Sequence, residues 1–195
     1  MLIRRASSAL AAVLALPLGC CTLAVCHSSS SSLDSGVDEN HVHRSLWFRL
    51  AYRYSATITS IPLQSLHFPP PGSKGALLFA TREFSGDNSN PSGVILHVDE
   101  LGHYKGQVRS GADYVARIER TWPSRGYAGV QSIPTPSGIT FYRVDYRAYP
   151  GEYDSVVCGT TGDYALVFNF NAGSQAHLDS LVRSISTIDA DGAGH

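Results

Sequence analysis

Cysteine is the first thing this sequence lacks where it would matter. Of four cysteines, Cys20, Cys21 and Cys26 crowd into the N-terminal 26 residues, and only Cys158 lies in the region that can fold. A disulfide framework is therefore excluded for that region. Lysine is nearly missing too: Lys74 and Lys105 are the only two, and no run of basic residues occurs. With a net charge of −1 and a pI near 6.7, the chain has no electrostatic footprint for nucleic acid. No apolar run reaches the roughly 20 residues of a spanning helix, although Ala9 to Cys26 falls only slightly short. Heptads are absent, and the 18 glycines show no every-third-residue period, which excludes coiled coil and collagen. The G-x-S-x-G, H-E-x-x-H, Walker and C-x-x-C signatures are absent as well. No internal repeat is visible.

What is present suits one domain with terminal extras. The chain has 195 residues, 43% hydrophobic and 16% charged, which is enough apolar material for a core. The N-terminus reads as an export signal over residues 1–26. Arg4 and Arg5 precede the apolar run Ala9 to Leu18, and a second apolar stretch follows from Thr22 to Cys26. Three outcomes are open for it: an ordinary cleaved signal, an uncleaved anchor, or a bacterial lipoprotein leader with Cys26 or Cys20 as the acylated residue. Five serines, Ser28 to Ser32, then open a polar tract over residues 27–42 that cannot bury apolar surface and reads as a disordered tether. Without the two leader arginines, thirteen basic residues face sixteen acidic ones, a charge of about −3.

Residues 43–189 read as a single α+β domain, mostly antiparallel sheet with helices packed on it. Alternation over Leu46 to Ser55 predicts a strand with Leu46, Phe48, Leu50, Tyr52 and Tyr54 on one face. A second extended stretch, Thr57 to Leu66, ends at Pro69-Pro70-Pro71-Gly72. Ala76 to Phe84 and Val94 to Val98 predict two strands around the turn-rich loop Ser85 to Ser92. Ser110 caps a helix with Asp113 in its first turn, Tyr114, Val115, Ile118 and Trp122 on its apolar face, and Pro123 and Gly126 at its end. Three strands follow as a meander: Ile139 to Ala148, Tyr153 to Cys158 and Tyr164 to Phe170. Turns are expected at Pro150-Gly151 and over Gly159 to Asp163. Ser174 caps the last helix, whose stripe is Leu178, Leu181, Val182, Ile185 and Ile188. Residues 190–195 read as a disordered tail.

Three stretches carry a resemblance: SGADYVARIERTW, ITFYRVDYRAYPGEYDSVVCGTTGDYALVFNFNA and SQAHLDSLVRSISTI. From Ser110 to Ile188 the chain resembles the PsbP-like α/β/α sandwich, in particular a group of exported bacterial proteins with that domain. The N-terminal half departs from it at Pro69-Pro70-Pro71. The resemblance implies a non-catalytic accessory or binding domain; plant-type relatives dock on the photosystem-II oxygen-evolving assembly. No set of family functional residues maps onto this chain, and no cofactor is implied.

For chemistry, the densest cluster is His97, Asp99, Glu100 and His103, four potential ligands in seven residues. On a strand His97 and Asp99 share a face, and Gly102 would let His103 turn back. A metal-dependent hydrolase built on these four is the competing reading, but the spacing matches no helical zinc pair, so a polar strand end outweighs it. His41 and His43 form a second pair at the end of the tether. Cys158, beside Val156 and Val157, reads as a buried strand cysteine rather than a nucleophile. Tyr142, Tyr146, Tyr153 and Tyr164 either line a ligand groove or pack across strands, and packing is the commoner use. The partner expected is an unidentified protein or small ligand, not nucleic acid, with the membrane reached only through the leader or a lipid.

Overall fold

The computed structural model describes residues 36–45, 47–55, 58–60, 76–83, 92–121, 127–147 and 149–190. In chain order the strands are β1 (Val37–Glu39), β2 (Val42–Ser45), β3 (Leu50–Arg53), β4 (Ile58–Ser60), β5 (Ala76–Glu83) and β6 (Ser92–Glu100). Helix α1 (Gly111–Thr121) precedes β7 (Gln131–Pro134), β8 (Thr140–Tyr146), β9 (Tyr153–Thr161) and β10 (Tyr164–Ala172). Helix α2 (Gln175–Arg183) and β11 (Asp189–Ala190) close the chain. Among the described residues the strands form two antiparallel sheets: a small one in the order β1-β2-β3-β11, and a large one in the order β4-β5-β6-β10-β9-β8-β7. The α+β expectation describes this architecture.

Period-two alternation sorts the large sheet into two cores. Leu166, Phe168 and Phe170 of β10, Val94, Leu96 and Val98 of β6, Val157 of β9 and Phe141 of β8 face one side. There they meet α2 and, through Tyr52 and Tyr54, the small sheet. Ala165, Val167, Val156, Cys158 and Val144 face the other side, under Tyr114 and Val115 of α1. The result is a helix, a seven-stranded sheet, and a third layer made of a helix and a small sheet.

Both helices are capped as their sequences direct. Ser110 Oγ accepts from the Asp113 backbone N–H at 3.2 Å, and Asp113 Oδ2 accepts from the Arg109 N–H at 3.0 Å. Each satisfies an amide that the helix itself leaves unpaired. The Arg109 N–H, helped by the Ser110 side chain, holds the Asp113 carboxyl below its ordinary pKa. Ser174 Oγ accepts from the His177 N–H at 3.3 Å. Helix α1 also needs Gly111, because a Cβ there would lie 2.1 Å from the Cys158 carbonyl oxygen on β9. The helix start therefore touches the sheet backbone directly.

Several sequence expectations need correction. The strand expected over 46–55 is only β3 at Leu50–Arg53, because the chain reverses from β2 at 47–49, where Arg49 takes a left-handed φ of 52°. The expected inward face survives the break: Tyr52 and Tyr54 are buried and Phe48 and Leu50 are partly buried. Strand β1 and the start of β2 lie inside the stretch expected to be tether. All three β1 residues are exposed, so backbone pairing holds them and no apolar pattern marks them. Ala190, expected in the tail, pairs with Leu50. Gly159 to Thr161 continue β9 rather than turning. Gly159 is needed there because a Cβ would meet the Ile139 and Phe141 side chains at 2.8 Å. The turn is only Gly162-Asp163, with Gly162 at φ 54° at the first position of a two-residue hairpin. Strand β7 was not expected at all. Helix α2 stops at Arg183 and tightens into a 3₁₀ turn, Ser184–Thr187, so Ile188 completes the buried stripe from extended backbone. The leader, Leu46, residues 61–75, the loop 84–91 and Trp122 to Gly126 fall outside the described residues.

Leu178, Leu181, Val182, Ile185 and Ile188 are all buried, and Arg183 is exposed. Leu181→Ala should cost about 2–5 kcal/mol through lost transfer energy plus a cavity. Arg183→Ala should cost less than about 0.5 kcal/mol. Thermal and urea unfolding of the two variants measures the difference. Equal small effects would mean that α2 does not cover the sheet.

Candidate functional site

Strand β6 brings His97 and Asp99 to the α1 side of the large sheet, and the structure places them together. His97 Nε2 lies 3.9 Å from Asp99 Oδ2, beyond hydrogen-bond reach. The Asn169 amide nitrogen is 3.1 Å from His97 Nδ1 and donates to it, which leaves the imidazole proton on Nε2. Burial holds the His97 pKa down to about 4 against the pull of Asp99. Asp99 Oδ2 accepts from Tyr104 at 2.6 Å and from Tyr114 at 2.7 Å. Burial and this carboxylate push both phenols well above their ordinary pKa. The two rings meet edge to face at 5.8 Å, and the Arg117 guanidinium lies over Tyr104. A carboxylate that accepts from two buried phenols ties the 3₁₀ turn Leu101–Tyr104 and α1 to the sheet.

Glu100 and His103 do not join this pair. Glu100 alternates to the opposite side of β6 and is exposed, and His103 is exposed in the 3₁₀ turn, edge-on to Tyr104. Among the described residues no three His, Cys, Asp or Glu side chains come together as metal ligands. The four-residue cluster is therefore corrected to a pair. The physical reason is strand alternation followed by a 3₁₀ turn that points its histidine outward.

The other sequence candidates also separate. His43 is buried against Phe79 with ring centroids 4.6 Å apart, while His41 is exposed in a turn at φ 60°. Cys158 is fully buried and free, and burial raises its thiol pKa well above the ordinary value, with the Asp99 charge adding to the rise. That is the opposite of an activated nucleophile. Tyr142 and Tyr146 pack on the α1 side, and Tyr153 and Tyr164 on the α2 side, so the four tyrosines line no common groove. Cys20 and Cys26 lie outside the described residues.

The structure shows instead a concave site that sequence reasoning missed. An open groove of about 520 Å³ runs between α2 and the β7–β8 edge of the large sheet, within the usual range of ligand pockets. Its walls are Gln131 and Ile133 on one side and Gln175, Asp179, Arg183 and Ser186 on the other. At its floor Arg143 Nε and Nη2 donate to the two Asp145 oxygens at 2.7 and 2.8 Å, and Nη2 also donates to Asp179. Gln175 Nε2 bridges the same two carboxylates at 3.2 Å each. Burial opposes the charge on Arg143, but the two carboxylates outweigh it and its pKa stands raised. The hydrogen bond from Arg143 holds the Asp179 carboxyl below its ordinary pKa. The groove thus offers both signs of charge at fixed positions beside the apolar Ile133 and Val182.

The fold is similar to that of a cyanobacterial PsbP. The solution structure of PsbP (CyanoP) from Synechocystis sp. PCC 6803 matches 80% of this chain and 94% of its own, with a TM-score of 0.46 and 10% sequence identity. No protein-family model matches the chain, and no curated protein matches it in sequence. The likeness to the PsbP structure is one of fold, and no residue role is drawn from it.

The buried His97 gives a pH signature. In the unfolded chain an imidazole titrates near 6.5, whereas in the fold it stays neutral down to about 4. The unfolded state therefore binds more protons in this window, and stability falls as pH drops. The contribution is fully present above pH 6.5 and is lost towards pH 4, by roughly 3 kcal/mol in all. Urea midpoints from pH 7.5 to 4.5 should show this slope, and His97→Gln should flatten it. An unchanged slope in the variant would place the titrating group elsewhere.

Proposed function

We propose that this chain is an exported, non-catalytic binding or accessory domain, held at the membrane by its N-terminal leader, which takes its partner in the groove between α2 and the β7–β8 edge. The observation that carries the reading is the Arg143–Asp145–Asp179 network. It is a preorganised set of charges at the floor of an open concavity, with no group of three His, Cys, Asp or Glu placed as metal ligands among the described residues. Fixed polar groups next to apolar ones give a binding site its orientation and specificity. The candidates for chemistry serve other ends: Asp99 accepts from two phenols, and Cys158 is sealed in the sheet. The basic start, apolar run and serine tract support export, and no helix among the described residues is long and apolar enough to cross a membrane.

Cell fractionation and fatty-acid labelling test the location. The chain should be found in the cell envelope or outside the cell. If it is a lipoprotein, it should carry a label that is lost in Cys26→Ser or Cys20→Ser. Full-length chain free in the cytoplasm would overturn the reading, and absence of a cysteine-dependent label would remove the lipid anchor from it. A photo-crosslinker at Ser186 in the native envelope should give a discrete adduct that one at His103 does not. Identical patterns from the two positions would remove the groove as the binding site.

A further inference from the structure

We infer that one end of the small sheet, carrying Val37, Arg44, Trp47 and Arg49, lies flat on an anionic lipid surface. The inference rests on the proposed reading of the leader, and it adds which face of the domain meets the bilayer. Strand β1 runs antiparallel to β2 with Val37 opposite Arg44, and β2 hands over to the Trp47–Arg49 turn just beyond Ser45. The chain therefore enters the sheet at the same end as that turn.

Two large apolar side chains are exposed here, Val37 and Trp47, each 49% exposed. Arg44 and Arg49 are exposed at the same end, with Asp189 paired to Ala51, the residue opposite Arg44 on β3. Asp38 and Glu39 lie towards the far end of β1, opposite His43 and Val42, and Arg53 pairs with Val42 there. The turn also fixes Arg49 in a left-handed conformation, which an arginine adopts only where the surrounding structure imposes it.

The occupant is a bilayer for two reasons. Trp and Arg side by side on a protruding turn match the headgroup region, where an indole sits half in apolar surroundings and a cation meets anionic phosphate. Each arginine near such a surface is worth roughly five-fold in partition. Second, Gly36 is only the tenth residue after Cys26. That stretch spans at most about 35 Å, so a chain held in the bilayer at or before Cys26 keeps the point where it enters the small sheet within that distance of the surface.

The test uses the full chain with Trp122→Phe, which leaves Trp47 as the single tryptophan. Vesicles of phosphatidylcholine, with and without phosphatidylglycerol, carry brominated acyl chains that quench an indole at the membrane interface. Trp47 should be quenched in the anionic vesicles, several-fold less in the neutral ones, and less as salt rises. Arg44→Gln with Arg49→Gln should reduce quenching by about ten-fold or more. Arg49→Gln alone serves as the milder variant, with unchanged thermal unfolding as the check on folding. Trp47 unquenched while the chain floats with vesicles through its leader overturns the inference and leaves the anchoring reading standing. Quenching equal in both vesicles and insensitive to the arginines overturns it as well. Quenching of Trp47 in a protein that shows no cysteine-dependent lipid label in cells upholds this face and rejects the lipid anchor. Concentration-dependent dimerisation lost in Trp47→Ala, without quenching, assigns the face to a second copy and overturns the inference.

Discussion

Strand β10 has apolar side chains buried on both faces over most of its length. Leu166, Phe168 and Phe170 face one core, Ala165 and Val167 the other, and β6 and β9 pair along both its edges. A strand in that position forces a layer on each face of the sheet, because neither row of side chains can be left in water. Helix α1 supplies one layer, and α2 with the small sheet supplies the other. The rest of the molecule follows from satisfying this one strand. Gly162 permits the tight return from β9. Gly159 lets Ile139 and Phe141 close over β9, and Gly111 lets α1 start against its backbone.

The same constraint decides which chemistry the domain can offer. Side chains on the central strands are drawn into packing, and polar ones among them must find partners or be neutral. His97 stays neutral, Asp99 collects two phenols, and Cys158 is held as a thiol. Towards the β7 edge of the sheet, Arg143 is tied to Asp145 beside it and to Asp179 on the helix above. A buried ion pair contributes little net stability, because the loss of hydration offsets most of the attraction. A pair of this kind at the floor of an open groove is better placed for recognition than for holding the fold.

How much of this could be read from the sequence follows from what burial imprints on it. The α2 stripe, the alternation of β8 and the apolar face of β10 were legible because a core on one side selects apolar residues at a fixed period. Strands β1, β7 and β11 were not. Their residues are mostly exposed and hold position by backbone pairing, which leaves no side-chain period. Gly159 was read as a turn because the same residue serves tight turns and close packing, and only the neighbours of its missing Cβ distinguish the two. His97 and Asp99 were placed on one face correctly, since two residues apart on a strand suffices. The outward swing of His103 was set by a 3₁₀ turn that the sequence does not mark.

The groove was illegible for a different reason. Arg143 and Asp145 share one face of β8, and in the sequence such an alternating polar pair reads as a solvated face. Their burial comes from α2, and Asp179 is 36 residues away. Sequence distance hides such a network because its geometry exists only after the helix docks. The docking itself is governed by the apolar stripe of Leu178, Leu181, Val182, Ile185 and Ile188. Helix α2 therefore does two things with neighbouring side chains of one turn: Val182 packs into the core and borders the groove, while Asp179 and Arg183 beside it wall the groove. A change that loosens the stripe must also open the groove.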